Sequence, residues 1–229
     1  MAKGNLIVIE GIDGCGKTTT LNMLEDYMRK GGFPYQVISY PKYESEAGKL
    51  IKQYLEGKLS LTVDQRIALY AADRYFDYLS SWRTALQEGK TVIAARYVTS
   101  SLIYAGAGSA DAADEDIDAD ECERTQEKIR KLEYEVMGLP EPDMVFYLTA
   151  PNDVLAQRRK GRAEQSGDTS KDIHEDNMVY LNRCARIAEE LYKSERWIKI
   201  DTTEPLRNNV ELMYNMIVLN SIPDDEDEE

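Results

Sequence analysis

The feature that most constrains the fold is a glycine-rich segment, Gly11–Thr18, which reads GIDGCGKT. It matches the pattern G-x-x-x-x-G-K-[ST], in which backbone N–H groups beside glycines cradle a phosphate. An apolar run, Leu6–Glu10, precedes it and a helical pattern, Thr18–Lys30, follows it. A strand, a glycine loop and a helix in that order predict a phosphate-binding site at the helix N-terminus. The alternative is a plain glycine turn with an exposed lysine.

Short apolar runs alternate with longer amphipathic stretches along the rest of the chain, as strands and helices do in α/β proteins. The predicted strands are Leu6–Glu10, Gln36–Tyr40, Thr91–Arg96, Met144–Thr149 and Trp197–Asp201. The predicted helices are Thr18–Lys30, Ala47–Leu55, Val63–Glu88, Asp120–Met137, Pro151–Arg162, Asn177–Lys193 and Leu206–Leu219. We therefore expect a three-layer P-loop α/β fold, in which helices flank a five-stranded parallel sheet. Its ligands should bind beyond the carboxyl ends of the strands.

The 229 residues fit one domain, which we place at 1–222, followed by an acidic tail at 223–229. The net charge of -14 is concentrated in two segments, Asp111–Glu123 and Asp224–Glu229, which contain acids and no base. Without them the chain is close to neutral, and both are expected to be solvated surface. No basic surplus is present for binding a nucleic acid polymer. The apolar runs are too short to span a membrane.

The cysteines are scattered, at Cys15, Cys122 and Cys184, with no C-x-x-C pair, and His174 is the one histidine. This pattern predicts a reducing compartment and argues against a Cys/His metal site. The start of the chain also lacks the apolar stretch of a secretory signal. We expect a cytoplasmic protein.

The loop predicts a nucleotide phosphate ligand, and the length leaves room for one donor and one small acceptor. Neither the base-reading N-K-x-D motif of GTPases nor the Asp-Glu strand end of hydrolysing ATPases is present. A small-molecule kinase is therefore favoured, with the Lys17 charge on the donor phosphates and the Thr18 hydroxyl on Mg²⁺. The residues predicted to bind ATP are Gly11, Asp13, Gly14, Cys15, Gly16, Lys17, Thr18 and Thr19.

Candidate acceptor residues follow the second and third strands. Tyr70 and Arg74 are four residues apart on a predicted helix, so they share a face that could stack a base and hold a phosphate. Core or interface packing for the tyrosines, and surface ion pairs for the arginines, are the alternatives. The residues predicted to bind the acceptor are Asp13, Lys42, Tyr43, Tyr70, Arg74, Arg96, Ser100, Ser101 and Tyr104.

Together with the phosphate loop, these residues resemble the thymidylate kinase (dTMP kinase) family of nucleoside-monophosphate kinases. The resemblance covers nearly the whole chain and includes Ile9–Gly14, Tyr40-Pro41, Tyr70…Arg74, Arg96–Tyr104, Gly138–Asp143, a basic lid and Trp197–Asp201. It implies ATP-dependent phosphorylation of dTMP to dTDP with Mg²⁺, a step in dTTP biosynthesis, by a homodimer. The apolar face of Val63–Glu88 is the candidate interface.

The resemblance also implies roles for single residues. Asp13 matches the acid that contacts the acceptor sugar, and Tyr70 matches an aromatic that stacks on thymine. Arg74 matches an arginine that reads the base or acceptor side, and Arg96 one that grips the acceptor phosphate. The stretch lining the base and its 5-methyl group contains Ser100, Ser101 and Tyr104.

Three positions depart from the family pattern. Ala95 stands where an acid that helps to hold Mg²⁺-bound water is usual. Tyr43 replaces an arginine, with Lys42 beside it as a point charge, and Gly14 replaces the arginine of one subclass. The last change resembles the subclass in which the lid supplies the cations.

The lid is expected over 155–175, where the run Arg158–Arg162 carries four cations and is followed by a polar stretch. A closing lid can deliver positive charge to the transferred phosphoryl group and exclude water. We favour Arg158 and Arg162 as catalytic with Lys17 and Asp13, and His174 as structural. The alternative for the run is a helix C-terminus with favourable cations. For the whole chain, another small kinase acting on dUMP, another nucleoside monophosphate or a deoxynucleoside remains open, as does a non-catalytic nucleotide-binding protein.

Overall fold

The computed structural model describes residues 4–110, 118–166 (side chains to 162) and 177–221. Its five strands all run parallel in one sheet of order β2-β3-β1-β4-β5. The strands are β1 Leu6–Glu10, β2 Tyr35–Ser39, β3 Thr91–Ala95, β4 Met144–Thr149 and β5 Ile198–Asp201. Both β1 and β3 are buried along their whole length, as expected for apolar strands covered on both faces. The predicted fold class is confirmed.

Helices fill the connections between the strands. They are α1 Lys17–Gly31, α2 Glu46–Leu55, α3 Val63–Asp77, α4 Arg83–Gln87, α5 Val98–Gly106, α6 Ala119–Arg130, α7 Asn152–Ser166, α8 Met178–Ser194 and α9 Leu206–Asn220. Since the chain leaves β1 toward β2 on one side, while β4 lies on the other, the strand order reverses at β1. A crevice forms outside the carboxyl ends of the strands at such a point. The glycine loop therefore opens into it.

Two long predicted helices each contain a π-helical segment. The predicted helix Val63–Glu88 is α3, a π-helix at Tyr78–Trp82 and α4, and the predicted helix Asp120–Met137 is α6 followed by a π-helix at Lys131–Val136. The wider turn after α3 brings Trp82 fully into the core, where its indole N–H donates to the Tyr40 hydroxyl. Helical periodicity alone does not predict such a wider turn.

One helix was not predicted. It is α5, which starts with β-branched and hydroxyl residues that are weak helix formers and has no side-chain N-cap. Most of its residues are buried, so packing stabilises it where local propensity does not.

Several predictions fall outside the described residues. They are the acidic segment over 111–117, the lid over 167–176 with His174, and the tail at 223–229. Within the described ranges, no helix combines the length and the apolar character that a bilayer crossing requires.

Candidate active site

The loop between β1 and α1 bends through residues in the left-handed region of backbone space. Gly14 and Gly16 have φ of 90° and 93°, which glycine adopts without steric cost. A Cβ on Gly14 would lie 2.7 Å from the Leu155 carbonyl oxygen and 3.1 Å from Arg159 Cγ. Glycine is required there because α7 packs directly on the loop.

Lys17, the first residue of α1, lies over this loop. Its ammonium donates to the carbonyl oxygens of Gly11 at 2.6 Å and Ile12 at 3.1 Å. Its Nζ is also 4.0 Å from Asp13 Oδ1 and 3.6 Å from Cys15 Sγ. The mobile charge of the predicted phosphate site is therefore placed at the mouth of the loop, within reach of any anion bound there.

The Asp13 carboxylate joins the phosphate loop to the residues after β3. The Arg96 guanidinium donates to its Oδ1, and the Tyr104 hydroxyl donates to its Oδ2 at 3.0 Å. Burial alone would raise the pKa of Asp13, but Arg96 and Lys17 outweigh it and hold the pKa well below its usual value. Asp13 therefore stays ionised at neutral pH.

Arg96 has the unusual backbone that this contact needs. Its φ is 65°, a conformation that is costly for a residue with a Cβ, and its guanidinium lies 5.3 Å from the Tyr104 ring centroid. Burial lowers the pKa of Arg96, but the nearby Asp13 carboxylate raises it well above the ordinary value. Strain of this kind is concentrated at functional sites.

A single cleft of about 1210 Å³ collects most of the predicted site. All predicted site residues line it except Gly11 and Lys42: Asp13, Gly14, Cys15, Gly16, Lys17, Thr18, Thr19, Tyr43, Tyr70, Arg74, Arg96, Ser100, Ser101, Tyr104, Arg158 and Arg162. Lys42 lies with its ammonium 3.5 Å from Asp77 Oδ2 instead. Residues from every crossover of the sheet therefore meet where the strand order reverses.

The cleft is strongly positive although the chain is acidic. Among the described residues that line it, one carboxylate, Asp13, faces six cations. These are Lys17, Arg66, Arg74, Arg96, Arg158 and Arg162. A concave surface of one charge concentrates ligands of the opposite charge, so the cleft is suited to phosphates.

Arg74 is held rigidly in the cleft wall. Its Nε and Nη2 donate to the two oxygens of Glu133 at 2.6 Å each, and Nη2 also donates to Ser101 Oγ at 2.6 Å. The pair is almost fully buried, with side-chain exposures of 2% and 0%. Glu133, in the π-helix after α6, was missed by the sequence reasoning; a buried arginine needs a counter-charge, but nothing in the sequence identifies which of many acids supplies it.

Two further residues in or next to the site were also missed. Glu10, the last residue of β1, is fully buried and accepts hydrogen bonds from Gly11, Thr99 and Ser100. Arg66 is 5% exposed and donates to the Tyr180 hydroxyl at 3.1 Å and the Gly108 carbonyl at 2.6 Å. Arg66 lies one helical turn before Tyr70 in α3. This spacing places both residues on one face of the helix and could have indicated Arg66 from the sequence.

The cations of α7 differ in their surroundings. Arg158 donates to the Thr202 hydroxyl at 2.8 Å and carbonyl at 2.7 Å, while Arg162 is exposed at the cleft edge. Arg159, which was not favoured from the sequence, is 9% exposed and donates to the Asp13 carbonyl at 2.8 Å. It therefore ties α7 to the phosphate loop.

The hydroxyl group next to Lys17 in the chain suits a metal ion that is bound together with a nucleotide. No cluster of three or more Asp, Glu, His or Cys side chains able to hold a metal ion is found among the described residues. Mg²⁺ at nucleotide sites usually takes one or two protein ligands and completes its shell with phosphate oxygens and water. The Thr18 hydroxyl, exposed at the cleft in the first turn of α1, provides such a ligand.

A phosphate loop at the end of a central parallel strand, in one cleft with several arginines from later crossovers, defines a P-loop enzyme that transfers a phosphoryl group to a small acceptor. The family model for thymidylate kinase matches residues 9–213. The chain belongs to the thymidylate kinase family.

Individual relatives agree with the family match. A putative thymidylate kinase of Invertebrate iridescent virus 6 is 30% identical over 68% of this chain and 65% of its own length. The thymidylate kinase of Plasmodium falciparum is 27% identical over 94% of this chain and 89% of its own length. The thymidylate kinase of Homo sapiens is 25% identical over 89% of this chain and 85% of its own length. The similarity thus extends over nearly the whole chain.

Proposed function

We propose that the cleft transfers the γ-phosphoryl group of ATP to the phosphate of dTMP, giving dTDP. The chain is a nucleoside-monophosphate kinase, and phosphorylation of dTMP is its function. The observation that carries the assignment of the cleft is its charge, with six cations facing one carboxylate and the phosphate loop at one end. Two phosphate-bearing substrates that must meet face to face require this arrangement.

On the donor side, the backbone N–H groups of the loop and the N-terminus of α1 would hold the β- and γ-phosphates of ATP. The Lys17 ammonium, which lies over the loop, supplies a positive charge to them. The Thr18 hydroxyl would hold Mg²⁺, which when bound neutralises phosphate charge. Glycines at positions 14 and 16 keep this wall free of side chains.

On the acceptor side, the proposed residues are Tyr70, Arg74 and Arg96, which all line the cleft. Tyr70 provides a ring on which thymine can stack, and Arg74, fixed by Glu133, provides a rigid edge for the base. Arg96 would grip the acceptor phosphate, and Asp13 would accept a hydrogen bond from the sugar. Both are already held together, so the site is preorganised.

The chemistry needs no general base in the protein. The second ionisation of a phosphate monoester lies near pH ~6, so dTMP is largely dianionic at neutral pH and is itself the nucleophile. The residues act by position and charge: Lys17 on the donor phosphates, Arg96 on the acceptor phosphate and the α7 arginines between them. Arg162 is the α7 cation best placed to move, because it is exposed at the cleft edge and already lowers the pKa of Asp13.

The test is a coupled ADP-release assay with Mg·ATP and a panel of dTMP, dUMP, dCMP, dGMP, AMP and thymidine. We expect kcat/KM for dTMP to exceed that for dUMP by about 10-fold or more, the discrimination a pocket for one methyl group gives. Lys17→Ala supplies the background rate. Turnover with another acceptor alone would keep the kinase and refute the acceptor assignment, and ATP binding without turnover would refute catalysis.

We also propose a homodimer and a cytoplasmic location. The proposed dimer is supported by exposed apolar side chains, Phe76 near the end of α3 and Leu79 in the π-helix that follows it. The location is supported by three cysteines that are unpaired and buried. We also propose a lid over 155–175, because the basic end of α7 lies beside the cleft.

A further inference from the structure

Glu10 ends β1 with a carboxylate that the mechanism above does not use. Its side chain is 0% exposed, and it does not line the cleft. Among the described residues no Lys or Arg forms an ion pair with it. A buried carboxylate is costly unless hydrogen bonds satisfy it, and Glu10 accepts three of them.

The three donors come from two separate parts of the site. Glu10 Oε1 accepts from the backbone N–H of Gly11 at 2.8 Å, at the start of the phosphate loop. Glu10 Oε2 accepts from the hydroxyls of Thr99 and Ser100, each at 2.7 Å, in the first turn of α5. One carboxylate therefore bridges the phosphate loop and the helix that follows β3.

The strained residue Arg96 lies between these anchors. Its backbone N–H bonds to the Ile9 carbonyl at 3.1 Å, and the Glu10 bonds to α5 follow three and four residues further on. At the end of β3 the neighbouring Ala95 has no polar side chain to fix the turn. Glu10 thus supplies the side-chain connection from β1 to the turn that aims Arg96 at Asp13.

We infer that Glu10 is a positioning residue, whose carboxylate fixes the distance between the phosphate loop and Arg96. It holds the donor and acceptor phosphates in line without touching either. A misplacement of about 1 Å in such a site can cost on the order of 100-fold in rate. The inference rests on the proposed role of Arg96, which Arg96→Ala tests separately through the KM for dTMP.

The isosteric variant Glu10→Gln distinguishes position from charge. A glutamine oxygen can accept from Gly11, while its amide group donates to the Thr99 and Ser100 hydroxyls, which reverse direction by rotation. All three connections survive, so we expect kcat and the KM for dTMP within about 3-fold of the native values, in the range of a minor perturbation. In Glu10→Ala all three are lost, and we expect the KM for dTMP to rise and kcat to fall, each about 10-fold or more.

A matched control lies at the opposite end of the same strand. The Asp143 carboxylate accepts from the Leu6 N–H at 2.6 Å, so Asp143→Ala also removes a carboxylate that is bonded to β1. It should lower the melting temperature and leave both kinetic constants unchanged. Glu10→Ala with the same pattern as Asp143→Ala would reduce Glu10 to a structural residue and overturn the inference.

Two further outcomes are decisive. If Glu10→Gln folds but is as impaired as Glu10→Ala, the charge itself is used and positioning is refuted. If Glu10→Ala does not fold, the variant Thr99→Val replaces it, because it removes one hydrogen-bond donor to Glu10 without changing the shape of the side chain. A higher KM for dTMP in Thr99→Val, together with a native KM in Thr99→Ser, which keeps the hydroxyl, supports the inference. Native kinetics in Thr99→Val overturn it. Whichever result Glu10 gives, loss of dTMP binding in Arg96→Ala supports the proposed role of Arg96, so a failure of the inference can be distinguished from a failure of the proposed function.

Discussion

At the scale of single residues, Asp13 connects several parts of the site. Its side chain contacts Arg96, Tyr104 and Lys17, and its backbone carbonyl accepts from Arg159. Residues from the phosphate loop, α1, α5, α7 and the turn after β3 therefore meet at this one residue. A shift in any of these elements changes the charge that the substrates meet.

The first prediction concerns pH. Arg96 and Lys17 lower the pKa of Asp13 in the folded protein. The ion pairs of Asp13 therefore stabilise the fold at every pH above the ordinary pKa of an aspartate. This stability is lost as the pH falls through the lowered pKa of the folded state. The acid limb of kcat/KM should then come from the second ionisation of dTMP near pH ~6 and not from Asp13.

The pH profile of Asp13→Asn checks this. We expect a lower kcat/KM over the whole range with the same apparent pKa on the acid side. Loss or displacement of that acid limb in the variant would assign it to Asp13 and contradict the prediction.

The second prediction concerns Gly14. Alanine there meets both a φ of 90° and the Leu155 carbonyl at 2.7 Å, so Gly14→Ala must shift the loop or α7. We expect the KM for ATP to rise about 10-fold or more, as for strain of about 1–3 kcal/mol placed at the binding loop.

Gly32→Ala is the matched control for strain. Gly32 caps α1 with a φ of 72°, and a Cβ there meets nothing within 4 Å. It should cost about 1 kcal/mol of folding stability, and the KM for ATP should be native. Equal effects of both variants on the KM would show that the close approach of α7 to Gly14 is irrelevant.

The site shows how far residues can be predicted from sequence. The phosphate loop was found because its chemistry fixes both residue types and spacing within eight positions. The roles of Glu10 and Glu133 were not found, because each carboxylate is bonded to a residue that is far away in the chain. Glu10 accepts from Thr99, and Glu133 accepts from Arg74. Such pairs depend on tertiary packing, which one sequence without relatives does not reveal.

At the scale of elements, α3 is fixed to the π-helix after α6 through the Arg74–Glu133 pair. Breaking a buried ion pair leaves one charge without compensation. The same bond also determines where Arg74 lies in the cleft. Stability and acceptor binding are therefore coupled at this pair.

The third prediction follows from that coupling. We expect Glu133→Ala to lower the free energy of unfolding by about 3–5 kcal/mol and to raise the KM for dTMP. Urea denaturation and steady-state kinetics measure the two effects. The exposed Glu135 in the same π-helix provides the control: Glu135→Ala should change neither. A stable Glu133→Ala with a native KM would show that Arg74 does not depend on its partner.

Element boundaries illustrate a second limit of the sequence. Strands were predicted to within a residue because apolar runs bounded by turns are local signals, and β1 and β4 agree at both ends. The π-helical segments at Tyr78–Trp82 and Lys131–Val136 were not predicted. A π-helical turn has the same residue types as an α-helix and changes only the direction in which the following side chains pack.

At the scale of the whole molecule, charge is separated. The chain has a net charge of -14, yet the cleft is lined by six cations and one carboxylate among the described residues. The acidic segments were recognised from the sequence because they are contiguous. Five of the six cleft cations were predicted as site residues from the sequence, and Arg66 was missed. Composition does not show that they form one cleft, because they are spread from Lys17 to Arg162 and converge only when the parallel strands align. An anionic substrate is thus attracted to one place on a protein that otherwise repels it.

The last prediction concerns assembly. Phe76 and Leu79 are 67% and 45% exposed, and Val136 in the π-helix after α6 is 71% exposed. The helix α3, which carries Phe76, contacts the π-helix that carries Val136. Exposed apolar side chains favour burial against a partner, and we propose a second copy of the chain as that partner, bound through Phe76 and Leu79.

Light scattering at micromolar concentration should give twice the 26.1 kDa mass of the chain. The double variant Phe76→Glu with Leu79→Glu should give the monomer mass, because dimerisation would bury two charges without partners. Leu219 is equally exposed, at 69%, but lies in α9 and not in the proposed interface, so Leu219→Glu should remain dimeric. A native chain that scatters as a monomer would refute the dimer, and dissociation by Leu219→Glu would place the interface elsewhere.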